Sequence, residues 1–143
     1  LDLVRGTDKV VDIELKNSVV RYPGMEEQVD ALVAGFGLAD QVWYSSFNHL
    51  SLLHLAELGS PVARGVLYVE QLVRPWEYAA GFGVDALHPL ATTVDAGLVE
   101  AAHAAGIRVH PWTVDDPRAI VALAAAGVDA IITNVPRVAR EAV

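Results

Sequence analysis

Short β-branched runs alternate with alanine- and leucine-rich stretches along the whole 143-residue chain. The runs predict strands at residues 10–15, 41–46, 62–68, 84–88, 107–113 and 128–133. Each is followed by a helical pattern, at 26–38, 49–58, 76–81, 96–105, 118–126 and 137–143. Gly59, Gly106 and Gly127 stand between a helix and the next strand, where a left-handed residue ends a helix. Asp116 before Pro117 reads as an N-cap and a first helical residue. Thr92, three residues before Asp95, predicts a capping box with a shortened acid.

Strand and helix in strict alternation imply a parallel sheet covered by helices. The strand starts recur about every 21 to 31 residues, within the range of an eight-unit barrel that averages ~31 residues per unit. An open doubly wound sheet that bound a nucleotide would show a glycine-rich first βα turn, and no turn here has one. The expected fold is therefore α/β, a (β/α)₈ TIM-barrel type. It is incomplete, with about six parallel βα units, and forms one domain over residues 1–143.

Composition narrows the chemistry. Apolar residues make up 53% and charged residues 20%, enough for a core and too ordered for a low-complexity chain. No apolar run approaches the ~20 residues of a bilayer crossing, so no transmembrane segment is expected. Ten Lys and Arg against eighteen Asp and Glu give a net charge of −8, which argues against a nucleic-acid partner. The same charge repels anions at long range, so a phosphate ligand would need a local cation. The absence of cysteine excludes disulfides, thiolate metal sites and thiol nucleophiles. The chain starts at Leu1, so the compartment stays open, with the cytoplasm as the default expectation.

In parallel α/β sheets chemistry gathers at the carboxyl ends of the strands. All six ends here carry polar or aromatic residues, while the strand middles are mostly apolar. Glu14 and Lys16 lie two residues apart on one strand, so both project to one face, about 6–7 Å apart along the chain. They fit two readings: a carboxylate for a hard divalent cation with an ammonium for a phosphate oxygen, or an ion pair at a strand end. Trp112 is either a flat wall for an alcohol or part of the core. His88 and His110 are strand-end candidates for ligand contact, whereas His49, His54 and His103 fall on helical patterns and should face solvent. Trp76 starts a short helix, where it either packs or overhangs a pocket. Ser45 and Ser46 lack the glycine elbow of a serine hydrolase.

Four stretches are similar to the glycerophosphodiester phosphodiesterase family. Asp12-Ile13-Glu14-Leu15-Lys16 resembles its NIEIK strand, and Ser45-Ser46-Phe47-Asn48 resembles its SF(N) strand end. Gly106 to Asp115 resembles the segment that ends in WTV-N/D, and Gly127 to Pro136 resembles GVDGIITDxP. Together, in family order, they span essentially the whole chain. Ala130 stands where the family usually has glycine, and Asn134 where it usually has aspartate; Asn134 keeps the capping ability and loses a charge.

The resemblance implies a (β/α)₈ barrel that hydrolyses glycerophosphodiesters to glycerol 3-phosphate and an alcohol, in glycerol and lipid metabolism. It also implies a divalent cation, Mg²⁺ or Ca²⁺, with a small-molecule phosphodiester as partner. On that resemblance Glu14 becomes a metal ligand and Lys16 a phosphate contact. Trp112 becomes the wall beside the glycerol, and Ser46, Phe47 and His88 become substrate-binding candidates. The family's opening HRG strand, its E-x-D strand and the following HD histidine have no counterpart here. The general acid and base histidines are therefore expected outside this chain, which aligns with strands three to eight and alone is expected to be inactive. Two other readings stand beside the enzyme: a catalytically inactive remnant acting as a binding or assembly module, with open edges inviting self-association, and another phospholipase-like phosphodiesterase barrel.

Overall fold

The β-branched and aromatic runs form strands where the alternation predicts them, and helices follow. The computed structural model describes residues 1–143, whose contacts group into two units, Leu1–Leu67 and Tyr68–Val143.

The first unit holds strand β1 (Val11–Glu14), helix α1 (Met25–Phe36), strand β2 (Val42–Ser46), helix α2 (His49–Glu57) and most of strand β3 (Ala63–Tyr68). β2 lies between the other two and pairs with both in parallel, with Glu14 opposite Ser45 and Ser46 opposite Val66. A parallel strand flanked on both sides reads as a continuous buried run, and β2 buries all but Trp43. Val33, Leu52 and Leu55 from the two helices are buried with Val42, Tyr44 and Val66, each large side chain contributing about 1.5–3 kcal/mol. Asp30 accepts a hydrogen bond from the Tyr44 hydroxyl (3.2 Å) and another from Ser60 (2.5 Å). The Gln41 amide donates to the carbonyls of Thr7 (2.7 Å) and Lys9 (3.0 Å), pinning the segment before β1.

Five helices and strands build the second unit with the last residue of β3: helix α3 (Pro75–Gly81), strand β4 (Ala86–Pro89), helix α4 (Ala96–Ala104), strand β5 (Arg108–Val109) and helix α5 (Pro117–Ala125), followed by a sixth element, helix α6 (Pro136–Ala142). The Tyr68 carbonyl accepts from the Leu90 N–H (3.0 Å). β4 and β5 pair in parallel, Ala86 with Arg108 and Leu87 with Val109. Val114, Ile120 and Leu123 form a core cluster against Val128, Ile131, Ala139 and Ala142.

Three local expectations are corrected. The strand expected over 107–113 is regular only at Arg108–Val109, resuming as a single bridge between Leu90 and Trp112. Pro111 lacks an N–H for the ladder, and the Trp112–Thr113 peptide bond is cis. The sixth strand, expected over 128–133, is absent as a regular strand. That segment is still hydrogen-bonded, from Asp129 N–H to Val109 (3.0 Å) and from Ile132 N–H to Pro111 (2.9 Å). However, the Asp129 carboxylate takes the Val109 N–H (2.8 Å), displacing a backbone partner from the ladder. The capping box on Thr92 does not form. Thr92 lies in a 3₁₀ turn, and Asp95 itself caps α4 by accepting from Leu98 N–H (2.8 Å).

The other punctuation stands. Asp116 accepts from the N–H groups of Arg118 (2.8 Å) and Ala119 (3.0 Å) at the start of α5. Gly59, Gly106 and Gly127 take φ values of +78°, +74° and +87°, a region a side chain would strain. No helix is long and apolar enough to cross a membrane.

Candidate active site

β1 ends on charge. Glu14 is its last residue, and Lys16 follows two positions later. The Lys16 ammonium lies 2.5 Å from Glu14 Oε2, with the carboxylate side chain 30% exposed and the lysine side chain 76% exposed. The pair therefore stands open to solvent, joined to each other rather than locked in a core. An exposed pair of this kind contributes at most about 1 kcal/mol to stability.

Asp12 sits two residues before Glu14, on the same face by the period of a strand. Its carboxylate accepts from the Ser45 hydroxyl (3.1 Å). Loss of water around it raises its pKa and the Glu14 charge adds to that rise, while Ser45 opposes it. The residue as a whole remains exposed. The same period-two rule that paired Glu14 with Lys16 would have found Asp12.

Ser46 is fully buried, donates to Leu15 O (2.7 Å) and accepts from Asn48 N–H (2.9 Å). Its single donor is spent on Leu15 O, so the hydroxyl holds the β2–α2 turn. Phe47, beside it, is 41% exposed. Asn48 and Asn17 both donate to the Ser51 hydroxyl (2.7 Å each), tying the β1 and β2 connections together.

In the second unit the ends of β4 and β5 carry a pair of imidazoles. His88 is 2% exposed, and its Nε2 lies 3.0 Å from His110 Nδ1. Burial pushes the pKa of His88 down to about 3, with the neighbouring His110 adding to the effect. Burial also lowers His110, against the pull of Asp129. Both rings are neutral at pH 7, so one donates to the other. The half-buried Trp112 donates its indole N–H to the His88 carbonyl (2.7 Å). His88 is thus expected to act by holding Trp112 and His110, whichever ligand the tryptophan meets.

The helix histidines are less free than their pattern suggested. His49 Nε2 lies 2.8 Å from Leu67 O, His54 pairs with Glu27 (2.8 Å) and His103 with Asp129 (2.9 Å). Asn134 caps no helix by its side chain. With Thr133 it donates to Asp115, through bonds of 2.8–2.9 Å that hold the Asp115 carboxyl below the usual carboxylate range. Asp115 and Asp129 escaped the sequence reading because their partners lie 18 to 26 residues away.

Parallel βα units with polar residues collected at the strand ends define a TIM-barrel type of α/β protein. A glycerophosphodiester phosphodiesterase structure from Agrobacterium tumefaciens matches 99% of this chain and 58% of its own at a TM-score of 0.76 and 22% identity. An Oleispira antarctica phosphodiesterase, solved with the product sn-glycerol-3-phosphate, matches 93% of this chain and 54% of its own at 0.73 and 25% identity. The glycerophosphoryl diester phosphodiesterase family model matches residues 4–138, and the chain belongs to that family. A glycerophosphodiester phosphodiesterase of Caldanaerobacter subterraneus is 36% identical over 94% of this chain and 56% of its own length. The chain spans about half the length of the curated relatives it matches.

A hard cation takes about six or more oxygen ligands, usually with more than one carboxylate. Glu14 is a donor of the right chemistry, but no three acidic or histidine side chains come together as a cation site within the chain. Glu14 fits as one ligand, not as a centre.

Proposed function

We propose that this chain contributes to the barrel of a phosphoric diester hydrolase that acts on glycerophosphodiesters. Water displaces the alcohol at phosphorus; the P–O bond to the alcohol breaks, the alcohol leaves with a proton, and glycerol 3-phosphate remains. The family match over residues 4–138 carries this reading, and the exposed carboxylate and ammonium at the end of β1 support it.

Lys16 holds a phosphate oxygen and offsets the charge that grows there during displacement. Its exposed ammonium is free to exchange Glu14 for a phosphate. Glu14 would serve as one oxygen ligand to Mg²⁺ or Ca²⁺. Such an ion, when bound, supplies electrostatic stabilisation and orientation of the phosphoryl group. Trp112 and Phe47 offer flat apolar faces to the glycerol moiety, His88 positions Trp112, and Ser46 holds the turn that presents Phe47. The acid and base of the reaction are assigned to no residue of this chain.

The test uses the full-length product of the gene, incubated with glycerophosphocholine and either cation. Choline and glycerol 3-phosphate are expected in equal amounts. Release of phosphocholine instead, or no release with either cation, overturns the reading. Glu14→Gln is expected to need more cation for the same rate, and wild-type activity at limiting cation leaves the ion-pair reading of Glu14.

A further inference from the structure

Tyr68 ends β3 with a hydroxyl that is buried and has no hydrogen-bond partner in the chain. The residue is 4% exposed. An orphaned buried hydroxyl is unfavourable, and native proteins nearly always supply it with a partner, a water or a ligand. Tyr68 also lines a cavity of about 180 Å³. Gln71, Arg74 and Trp76 line the cavity from the connection after β3, and Thr93, Asp95 and Leu98 from the connection after β4. None of these residues takes part in the phosphodiester chemistry proposed above. Trp76, which the sequence left between packing and overhanging a pocket, forms part of this wall.

We infer that this cavity is a binding site for a small neutral alcohol, with Tyr68 as its buried anchor. The charges point to neutrality. Arg74 and Asp95 are of opposite sign, so a bare anion or cation meets repulsion from one of them. Arg74 is also held by Glu77 (3.3 Å), which leaves it poorly placed to neutralise an anion alone.

The available hydrogen-bonding groups point to a hydroxyl. Burial raises the Tyr68 pKa, so the phenol keeps its proton and donates. Asp95 uses Oδ1 to cap α4 and has Oδ2 left as an acceptor. Thr93 donates its hydroxyl hydrogen to Leu90 O (2.8 Å) and has lone pairs left. A hydroxyl both accepts and donates, so a single group can answer Tyr68 and Asp95. A carbonyl or phosphate oxygen only accepts, and an ammonium only donates. Leu72, Pro75 and Leu98, with the Trp76 ring, form an apolar side suited to the C–H face of a short alcohol.

Propane-1,2-diol is the probe, titrated into the protein without turnover while the Trp76 indole N–H and the Leu98 amide are followed by NMR. Binding in the millimolar range is expected, saturable, with shifts at both signals. Tetramethylammonium and inorganic phosphate, titrated in parallel, are expected to give neither. Tyr68→Phe keeps the ring and removes only the hydroxyl. It is expected to weaken diol binding at least fivefold while leaving the ligand-free melting temperature unchanged or raised. Gln71→Ala, at an exposed position, leaves the anchor and is expected to bind the diol with a smaller loss. Leu98→Phe fills the space from the opposite wall and is expected to abolish binding. The inference is overturned if the diol gives no saturable shift, if Tyr68→Phe binds it as well as wild type, or if either ion takes the site. It is also overturned if Tyr68→Phe lowers the ligand-free melting temperature, since a tightly held water is then the true partner. Because no step is catalysed, failure here leaves the phosphodiester reading standing, and the reverse also holds.

Discussion

His88 Nε2 and His110 Nδ1 lie 3.0 Å apart with their rings tilted by 40°, one proton serving two neutral imidazoles. A charge on either ring would be buried beside the other, and a proton on the accepting nitrogen would break the shared bond.

The burial of His88, reinforced by His110, makes stability depend on pH. The folded pKa of His88, about 3, lies far below the value near 6.5 of an unfolded histidine. Between those values the unfolded chain binds more protons, so stability rises with pH through this window. The contribution is complete above about pH 6.5 and is lost as pH falls towards the folded value. Thermal melts from pH 7 to pH 4 should show a steady drop, and in His88→Gln the drop should be smaller by roughly 2–4 kcal/mol of pH-dependent stability. Parallel curves for the two proteins would remove His88 as the cause.

Lys16→Met tests the phosphate contact. An ammonium that acts on growing charge affects the transition state more than the ground state, so kcat should fall on the order of 10²–10³-fold. Added cation should not restore it. Steady-state kinetics on glycerophosphocholine, in the full-length product, separate this from Glu14→Gln. An unchanged kcat would confine Lys16 to its ion pair.

Trp112→Ala should act differently. A flat apolar wall binds ground and transition states about equally, so KM should rise several-fold with kcat nearly held. Loss of the indole also frees the His88 carbonyl, and Trp112→Phe should recover much of the KM while still lacking that bond. A kcat effect shared by both variants would instead place the importance of Trp112 in the hydrogen bond.

Ile120, fully buried in the second unit, is a core test away from the proposed chemistry. Ile120→Ala should cost about 2–5 kcal/mol, read from denaturant unfolding. A cost below about 1 kcal/mol would mean the cluster collapses readily around the missing side chain.

Asp115 gathers bonds from Thr133 and Asn134 just before α6. Asp115→Ala removes the Oδ1 acceptor of the Asn134 N–H (2.8 Å). Hydrogen exchange at the Asn134 N–H should then speed up by about tenfold, the loss of one ordinary hydrogen bond, with exchange in β2 unaffected.

The elements were legible because their signals are local. Period-two runs, the glycines at 59, 106 and 127, and the Asp116–Pro117 pair each act within a few residues, and the structure keeps them. What the sequence concealed is non-local. Asp129 takes the Val109 N–H from 20 residues away, and the Ser46 hydroxyl is tied to a carbonyl 31 residues away. The Glu14–Lys16 pair was legible from spacing alone, whereas the chemistry suggested for it came from the family resemblance. The cavity at Tyr68 left no mark in the sequence, since a tyrosine closing a strand is ordinary until its hydroxyl proves to be alone.

The side-chain bond from Asp129 to Val109 has a consequence for behaviour at high concentration. A regular outer strand is a template on which another chain can grow, and proteins blunt such templates with bulges and misplaced charges. Here an aspartate sits in the last stretch of extended backbone and spoils its repeat. Strand-by-strand growth of one copy on another is thereby expected to be steered away from residues 128–133.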